Sequence, residues 1–212
     1  TGNDYLYAAG DNDTLTGGAG NDTLRGGWGD DTYLFYGKGS GNDTIMSDEQ
    51  TYNWWEGTIN HNGIDTVRFT DLALGDFEGF GEDKTRGHNL FMRSKETGDT
   101  LKLERFFAGP AYQVDQFVFA DGTTLTAAEV ASRFNNVIGT SGDDTLYGFD
   151  TYKANIYGGE GNDTLYANTA DTLDGGPGND TLTGSSGADT LTGGTGNDYL
   201  YAAGDNDTLT GG

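Results

Sequence analysis

The chain repeats a nine-residue pattern of Gly, Asp and Leu in a constant phase. The pattern is plainest in two adjacent copies, GGAGNDTLR at 17–25 and GGWGDDTYL at 26–34. The same phase returns later in five further copies: GTSGDDTLY from 139, GGEGNDTLY from 158, GGPGNDTLT from 175, GSSGADTLT from 184 and GGTGNDYLY from 193. A short fixed period is typical of solenoids, in which each repeat buries its apolar residue only by stacking on its neighbours.

Each position of the repeat has a physical role. The glycines allow a positive φ and a close approach of the backbone, so that peptide carbonyls can turn toward a common centre. The Asp at the sixth position adds a charged oxygen, which suits Ca²⁺ with its roughly six to eight oxygen ligands. The last three residues form a short strand whose middle side chain points inward, as predicted for Leu24, Tyr33, Leu165 and Leu182.

Two repeats then make one coil, with turns at the opposite edges of a flattened two-sheet roll. We therefore predict an all-β fold: a calcium-binding parallel β-roll, or right-handed β-solenoid, in two blocks that flank a β-rich insert with one short helix. The predicted boundaries are an N-terminal roll at 1–46, the insert at 47–136 and a C-terminal roll at 137–212. One buried Leu per repeat does not offset the entropy of ordering the whole repeat, so we expect cation binding to supply folding free energy.

The charge balance restricts the partners. There are 34 acidic and 11 basic residues, a formal net charge of -23, which disfavours nucleic acid or an anionic membrane as a partner. The chain contains no Cys, so neither disulfides nor thiolate metal sites stabilise it. We expect no membrane insertion, because no stretch is apolar enough over a sufficient length.

The insert has a sequence pattern that differs from the nonapeptide repeat. Alternating apolar residues in DTVRF, HNLFMR, DTLKLERFF and DQFVFADGTTL predict strands, with SKETG and ADG as turns between them. Thr126 with Glu129 three residues later is a capping box, which predicts a short helix to about Phe134. Two readings remain open for Trp54 and Trp55: they cover the end of a roll, or they form a platform for stacking a sugar.

One segment of the chain occurs twice. TGNDYLYAAGDNDTLTGG occupies 1–18 and recurs without change at 195–212, in the same phase of the repeat. An artificial duplication would explain the identity. The preserved phase favours natural tandem repetition, in which neighbouring copies of the same module follow one another in the parent chain.

The nonapeptides resemble those of the RTX (repeats-in-toxin) family of secreted bacterial proteins, and the insert is similar to the haemolysin-type calcium-binding-related domain found between RTX blocks. The resemblance implies that each ion lies between one loop and the loop two repeats later. The first loop would donate its second and fourth carbonyls and its Asp, and the later loop its first and third carbonyls and its Asp. One implied site comprises Gly159, Gly161, Asp163, Gly175, Pro177 and Asp180, and the next comprises Gly176, Gly178, Asp180, Gly193, Thr195 and Asp198.

The full set of predicted metal ligands extends over both rolls. The predicted carboxylates are those of Asp4, Asp13, Asp22, Asp31, Asp43, Asp144, Asp163, Asp180, Asp189, Asp198 and Asp207. The predicted backbone ligands are at Gly18, Gly20, Gly142, Gly158, Gly159, Gly161, Gly175, Gly176, Pro177, Gly178, Gly193 and Thr195. We expect weakened binding where Ala8, Ala9 and Asp11 replace the usual glycines. On the second edge of the C-terminal roll, segment 148–157 is one residue too long for the repeat and segment 167–174 is one residue too short. We therefore expect regular sites on this edge only at Asp189 and Asp207.

The resemblance implies a non-enzymatic structural module that binds several Ca²⁺ ions. Such a chain would pass unfolded through a type I secretion machinery and fold outside the cell, in the extracellular space or on the bacterial surface. Two alternatives stay open from the sequence. The insert could bind a carbohydrate or protein ligand, or the chain could be the non-catalytic, calcium-binding C-terminal part of a secreted enzyme.

Overall fold

Short strands dominate the protein, as the repeat predicts. The computed structural model describes residues 1–46, 63–82, 88–109 and 112–212, and Trp54 and Trp55 lie outside the described residues. The strands are β1 (Tyr5–Gly10), β2 (Thr14–Leu15), β3 (Thr23–Trp28), β4 (Thr32–Phe35), β5 (Asn42–Ile45), β6 (Thr66–Phe69), β7 (Phe77–Glu82), β8 (Asn89–Ser94), β9 (Thr100–Leu103), β10 (Gln116–Val118), β11 (Thr124–Thr126), β12 (Asn136–Ile138), β13 (Thr145–Tyr147), β14 (Asn155–Tyr157), β15 (Thr164–Tyr166), β16 (Thr172–Pro177), β17 (Thr181–Thr183), β18 (Thr190–Thr195), β19 (Tyr199–Tyr201) and β20 (Thr208–Thr210).

The described residues divide into two units. The first unit comprises Thr1–Gly79 and Asn89–Arg133, and the second comprises Phe80–His88 and Phe134–Gly212. The three-segment division drawn from the sequence stays a prediction. Among the described residues no helix is long and apolar enough to cross a bilayer.

The second unit is a parallel β-solenoid. One of its sheets has the order β13-β15-β17-β19, and the strands β12, β14, β16, β18 and β20 pair in that order on the other side. Thr145 pairs with Thr164, Thr164 with Thr181, and Thr181 with Tyr199, so these coils are 19, 17 and 18 residues long while the strands stay in register. The turns absorb the extra and the missing residue that the sequence shows. Leu146, Leu165, Leu182, Ile156, Leu173 and Leu191 fill the interior, each fully buried.

The first unit begins with the same architecture. Parallel strands β1, β3, β5 and β9 pair in that order, and β2, β4, β6 and β10 form the facing sheet. The insert strands β6, β9 and β10 thus continue the parallel pairing of the nonapeptide strands within this unit. Hairpins complete it, because β8 runs antiparallel to β9 and β11 runs antiparallel to β10. Leu24 and Tyr33 are buried, as predicted for inward-facing residues.

An aromatic core distinguishes the first unit from the Leu-filled second unit. Phe69 stacks on Phe119 with ring centroids 4.9 Å apart and lies 4.6 Å from Phe77. Phe106 meets Phe117 edge to face at 5.9 Å. Such ring pairs add to the apolar area that they bury. This unit therefore has a core that does not depend on one Leu per repeat.

The predicted helix is confirmed, and one predicted strand is too long. Helix α1 spans Ala127–Arg133, where the Thr126 N–H donates to Glu129 Oε2 (2.8 Å) and the Glu129 N–H donates to Thr126 Oγ1 (3.3 Å). The strand predicted through DTLKLERFF ends at Leu103 and gives way to a short 3₁₀ turn at Phe106–Ala108. Phe106 and Phe107 are both fully buried, whereas a strand would place neighbouring side chains on opposite faces.

Candidate metal centre

The turns on one edge of the C-terminal roll are cups built from glycine. At the second position of three successive turns, Gly159, Gly176 and Gly194 have φ of 107°, 98° and 106°. A Cβ added to Gly176 would collide with the carbonyl oxygen of Gly159, and one added to Gly194 would collide with that of Gly176. The second carbonyl of each turn therefore points into the next turn. Only glycine allows both this φ and this approach.

The fourth position repeats this arrangement. Gly161, Gly178 and Gly196 have φ of 122°, 155° and 134°. Added Cβ atoms on Gly178 and Gly196 would meet the carbonyls of Gly161 and Gly178. Two rows of carbonyl oxygens therefore run along this edge, one from the second and one from the fourth position of the turns.

A ladder of carboxylates lies beside these carbonyls. The backbone N–H of Asp144 donates to Asp163 Oδ1 and that of Asp163 donates to Asp180 Oδ1, both at 2.8 Å. The Asp180 N–H donates in the same way to Asp198 Oδ1 (3.0 Å). One oxygen of each later Asp is thus committed to fixing its coil against the preceding one. The other oxygen is left for a different role.

That second oxygen identifies the candidate centre. Asp163 and Asp180 are each 1% exposed, and within the described part of the chain Oδ2 of both lacks a hydrogen-bond donor. The Oδ2 of Asp180 faces the first glycine of its own turn, Gly175. A buried carboxylate oxygen without a donor is costly unless a cation compensates for it. Burial, aided by the charge of the neighbouring carboxylates, raises the pKa of Asp163 and Asp180.

The remaining predicted ligands of this edge lie where they can complete an oxygen cage. The carbonyl of Gly175 points back toward Gly158, 2.6 Å from the position of an added Cβ, and that of Gly193 points toward Gly175 in the same way. The carbonyls of Pro177 and Thr195 accept the N–H groups of Gly161 (3.1 Å) and Gly178 (2.8 Å), and each keeps a second lone pair.

The donor set favours one kind of cation. In the described ranges no three acidic or imidazole side chains come together as a metal cluster. A cation between two turns would therefore be held by paired carboxylates and several carbonyls. Such a hard oxygen environment suits Ca²⁺, whereas Mg²⁺ prefers to keep its waters in a strict octahedron. The residues present fit calcium, and the individual ligand assignments stay predictions.

The opposite edge of the same roll is built differently. Asp171 Oδ1 accepts the Ala154 N–H (2.7 Å), while its Oδ2 accepts the N–H of Asn168 (2.9 Å). Asp189 Oδ2 accepts the Ser185 N–H at 2.7 Å. On this edge protein donors satisfy both carboxylate oxygens. These hydrogen bonds give Asp189 a structural role, and its role as a metal ligand stays a prediction.

In the N-terminal roll, Oδ2 of both Asp13 and Asp22 is buried and accepts no hydrogen bond from the described residues, so each edge carries a carboxylate oxygen like those of Asp163 and Asp180. Asp22 is 1% exposed, and its Oδ2 accepts no hydrogen bond in the described residues. Its N–H donates to Asp43 Oδ1 (2.9 Å), which places Asp43 in the ladder despite the insertion before it. Asp4 is exposed, and its N–H donates to Asp22 Oδ1 (2.8 Å). Asp13 and Asp31 form the matching pair on the other edge, with the Asp13 N–H 3.0 Å from Asp31 Oδ1.

The remaining predicted ligand positions also lie in the glycine turns and the Asp ladders. Gly18 and Gly20 have φ of 91° and 135°, and an added Cβ on Gly20 would meet the carbonyl of Gly2. Gly142 presents its carbonyl to Gly161, with the oxygen 2.8 Å from an added Cβ. Asp144 Oδ2 accepts the Thr140 N–H, so this end of the C-terminal ladder is hydrogen bonded like the opposite edge. On that opposite edge the Asp189 N–H donates to Asp207 Oδ1 (2.9 Å).

The nonapeptide phase did not identify three acidic residues of these ladders. Asp171 occupies the ladder position of the short repeat, and the Asp171 N–H donates to Asp189 Oδ1 at 2.7 Å. In the insert, Asp65 and Asp115 prolong the ladder of the first unit. The Asp31 N–H donates to Asp65 Oδ1 (3.0 Å), and the Asp65 N–H donates to Asp115 Oδ2 (2.9 Å). The signal for Asp65 is the segment GIDTV at 63–67, which keeps the second half of the repeat.

Asn side chains form a second, unpredicted ladder one position before the Asp. The Asn179 N–H donates to Asn162 Oδ1 and the Asn197 N–H donates to Asn179 Oδ1, both at 2.9 Å. The Asn21 N–H donates to Asn3 Oδ1 at the same distance. In this ladder the later coil donates to the earlier one, which is the reverse of the Asp ladder. Each turn is therefore held from both sides.

Comparison with known proteins agrees with this geometry. Segments of the chain match the RTX calcium-binding nonapeptide repeat (4 copies) at 1–33, 132–150, 155–182, 167–200 and 183–212, together more than half of its length. Residues 89–129 match the haemolysin-type calcium binding protein related domain. Both resemblances predicted from the sequence are confirmed.

Two individual proteins are similar over part of their length. The iron-regulated protein FrpA of Neisseria meningitidis serogroup C is 39% identical over 123 residues, which cover 57% of this chain and 10% of that protein. The crystal structure of extracellular lipase LipA from Serratia marcescens aligns over 98% of this chain and 30% of the lipase chain, with 23% identity and a TM-score of 0.30. The chain spans about a tenth of the first protein and less than a third of the second. By its repeats, the chain belongs to the RTX calcium-binding nonapeptide repeat family.

Proposed function

We propose that this chain is a non-enzymatic, calcium-folded structural module of a secreted or surface-attached bacterial protein. The unfolded chain would leave the cell through a type I secretion machinery and fold where calcium is plentiful. Tandem copies of the same module would lie beside it in the parent protein. The proposal concerns the module only, and the activity of the whole parent protein lies outside it.

One observation supports this proposal above the others: the Oδ2 atoms of Asp163 and Asp180 are buried and accept no hydrogen bond from any residue that the structure describes. Two such oxygens on successive coils of one edge leave negative charge inside the roll. Without a cation that charge opposes folding, because desolvation and like-charge repulsion act in the same direction. With a cation the same atoms stabilise the fold, so metal binding and folding become one equilibrium.

The ligand type also fits the extracellular setting. Modules outside the cell commonly bind calcium with dissociation constants of about 10⁻⁴ to 10⁻³ M, far too weak for the cytosol. Paired carboxylates shared between neighbouring sites, with carbonyls for the rest, belong at this weaker end. Such a chain would stay unfolded until export.

Circular dichroism of the 212-residue chain tests the proposal. In excess chelator we expect a spectrum dominated by disordered chain, and calcium at millimolar concentration should restore β-structure in a cooperative transition. Magnesium at the same concentration serves as the matched control and should leave most of the chain unfolded, since carbonyl cages are poor Mg²⁺ sites. A chain with the same β-content in chelator and in calcium would refute the proposal.

A further inference from the structure

The duplicated segment appears in the structure in two different surroundings. The copy at 1–18 supplies β1 and β2, and the strands that follow it along the chain cover it on one side. Tyr5 pairs with Thr23 and Leu6 with Leu24. The copy at 195–212 supplies β19 and β20, and the strands that precede it cover it on the other side. There Thr181 pairs with Tyr199, the counterpart of Tyr5.

The second sheet shows the same complementarity. Thr14 of the first copy pairs with Thr32 in the following coil. Thr208, its counterpart in the second copy, pairs with Thr190 in the preceding coil. Each copy of the segment therefore shows one of the two neighbours of a coil inside a solenoid. Together the copies show both.

The hydrogen-bond ladders divide between the copies in the same way. In the first copy the Asp4 N–H donates forward to Asp22 Oδ1 (2.8 Å). In the second copy Asp198 Oδ1, on the counterpart of Asp4, accepts the Asp180 N–H from the preceding coil (3.0 Å). The bonds involve different atoms of the equivalent Asp, so one residue can make both.

The Asn ladder and the other edge agree with this division. Asn3 Oδ1 accepts from the following coil, and the N–H of its counterpart Asn197 donates to the preceding coil, both at 2.9 Å. The Asp13 N–H donates forward to Asp31 Oδ1 (3.0 Å). Oδ1 of its counterpart Asp207 accepts from the preceding coil (2.9 Å).

The backbones of the two copies agree at one uncommon conformation and differ at another. Asp11 and its counterpart Asp205 both adopt the left-handed region, with φ of 68° and 61°. A side chain rarely takes this conformation, so its appearance in both copies is a specific match. Gly2 and Gly196 match as well, with φ of 119° and 134°. The copies differ at Ala9, whose φ is 82°, whereas its counterpart Ala203 is not in the left-handed region. Strand β1 also continues to Gly10, whereas β19 ends at Tyr201, so the pairing and the ladders, rather than an identical backbone throughout, carry the complementarity.

From these complementary halves we propose that the duplicated segment is a seam coil, through which the C-terminal roll of one module continues into the N-terminal roll of the next copy. The partner of this surface is thus a second copy of the same chain, in covalent succession. The strand order β13-β15-β17-β19 would pass through the seam into β3 and β5 of the next copy. This inference rests on the proposed function, because only a calcium-folded roll presents the ladders.

The seam gives tandem modules mechanical and thermodynamic continuity. A coil inside a solenoid receives stabilisation from two interfaces, whereas a terminal coil receives it from one. The exposed rings of Tyr5 and Tyr199, each 62% exposed, would gain a neighbouring coil on their uncovered side. Adjacent modules would then resist bending and unfold as a coupled array.

A two-module chain tests the seam directly. It consists of residues 1–212 followed by a second copy of 19–212, so that one duplicated segment lies between two modules. Amide hydrogen exchange in saturating calcium is followed residue by residue. We expect the Asp198 amide of the shared coil to exchange at least about tenfold more slowly than in the 212-residue chain, because it gains Asp22 Oδ1 of the second copy as an acceptor.

Matched substitutions make the result specific. Asp22→Ala in the second copy should return the Asp198 amide to fast exchange, whereas Asp22→Ala in the first copy should leave it slow. Fast exchange at Asp198 in the unsubstituted two-module chain, with Asp163 and Asp180 protected, would overturn the seam. Fast exchange at all three amides in calcium would instead overturn the calcium-folded module itself.

Discussion

Each Asp of the C-terminal ladder combines two tasks on two oxygen atoms. Oδ1 of Asp180 accepts the Asp163 N–H and holds the coils in register, while Oδ2 is buried beside the glycine cup. The pairing explains why the repeat demands Asp at this position. Asn supplies the first task without the charge needed for the second, and Ala supplies neither.

Substitution of Asp180 separates the two tasks. We expect Asp180→Asn to lower the number of bound Ca²⁺ ions and to raise the calcium midpoint of folding about tenfold, because the charge is lost while the register bond can persist. Asp180→Ala should be worse by a further ~1 kcal/mol of stability. Calorimetric calcium titration, with circular dichroism as the folding readout, measures both effects.

Asp189→Asn is the control for this substitution. Its Oδ2 accepts the Ser185 N–H, so the change should cost stability without changing the number of bound ions. Equal loss of ions in Asp180→Asn and Asp189→Asn would show that hydrogen bonding does not distinguish the two edges.

Protonation of Asp43 should act against calcium. Burial raises the pKa of Asp43 from 3.8 to about 6, despite the hydrogen bond donated by the Asp22 N–H. The folded chain without metal therefore binds this proton more tightly than the unfolded chain does, and its stability falls as the pH rises from 3.8 to about 6. In calcium-depleted solution the ordered fraction should increase as the pH is lowered through this window.

The comparison with Asp43→Asn isolates that group. The substituted side chain is neutral at every pH. The part of the pH dependence that is due to Asp43 should therefore vanish in a circular dichroism titration of the calcium-depleted protein. In calcium the direction reverses, since protons compete with the cation and a lower pH should raise the calcium midpoint. A metal-free chain that loses structure on mild acidification would contradict this assignment.

At the scale of the repeat element, two ladders of opposite direction hold each turn. The Asp ladder carries hydrogen bonds from the earlier coil to the later, and the Asn ladder carries them from the later to the earlier. Adjacent peptide groups of one turn are therefore tied to different neighbours. This arrangement resists both sliding and tilting of a coil, with no metal involved.

The Asn ladder should contribute to stability without contributing to ion number. Asn179→Ala removes the acceptor of the Asn197 N–H and should cost about 1 kcal/mol at saturating calcium, while calcium titration finds the same stoichiometry. Asn179→Asp should restore most of the loss, because Asp143 already accepts the Asn162 N–H in this ladder at 2.7 Å. A change in bound ions with Asn179→Ala would make Asn179 part of the metal centre.

The elements predicted from the sequence are those whose physics is local. The inward position of Leu165 follows from strand alternation, and the cap at Thr126 follows from side-chain reach over one turn. Asp65 and Asp115 were not predicted because each is far from its ladder partner in the sequence. Asp65 lies 34 residues after Asp31, and Asp115 lies 50 residues after Asp65, well beyond the spacing of the repeat. The hydrogen bonds of Asp171 also could not be predicted from the sequence, because they depend on the direction in which the shortened turn orients the N–H of Asn168.

Over the whole molecule, negative charge opposes folding through two separate effects: repulsion across the surface and burial of carboxylate oxygens inside the roll. A net charge of -23 repels itself across the surface, and Lys153 is the single basic residue in 134–212. Any salt weakens surface repulsion, because the Debye length falls to about 10 Å at 0.1 M. The buried Oδ2 atoms of Asp163 and Asp180 lie out of reach of such screening. Only an ion inside the cup can compensate for them.

Monovalent salt therefore distinguishes the two causes. With chelator present, raising KCl to about 0.5 M should leave the chain largely disordered, because screening acts on exposed charges and not on the buried pair. Millimolar calcium, which adds little ionic strength, should fold it. Asp163→Asn with Asp180→Asn removes the buried charges, and this double variant should regain part of its β-structure in chelator. Folding of the unsubstituted chain by KCl alone would mean that surface repulsion, rather than the cup, keeps the metal-free chain unfolded.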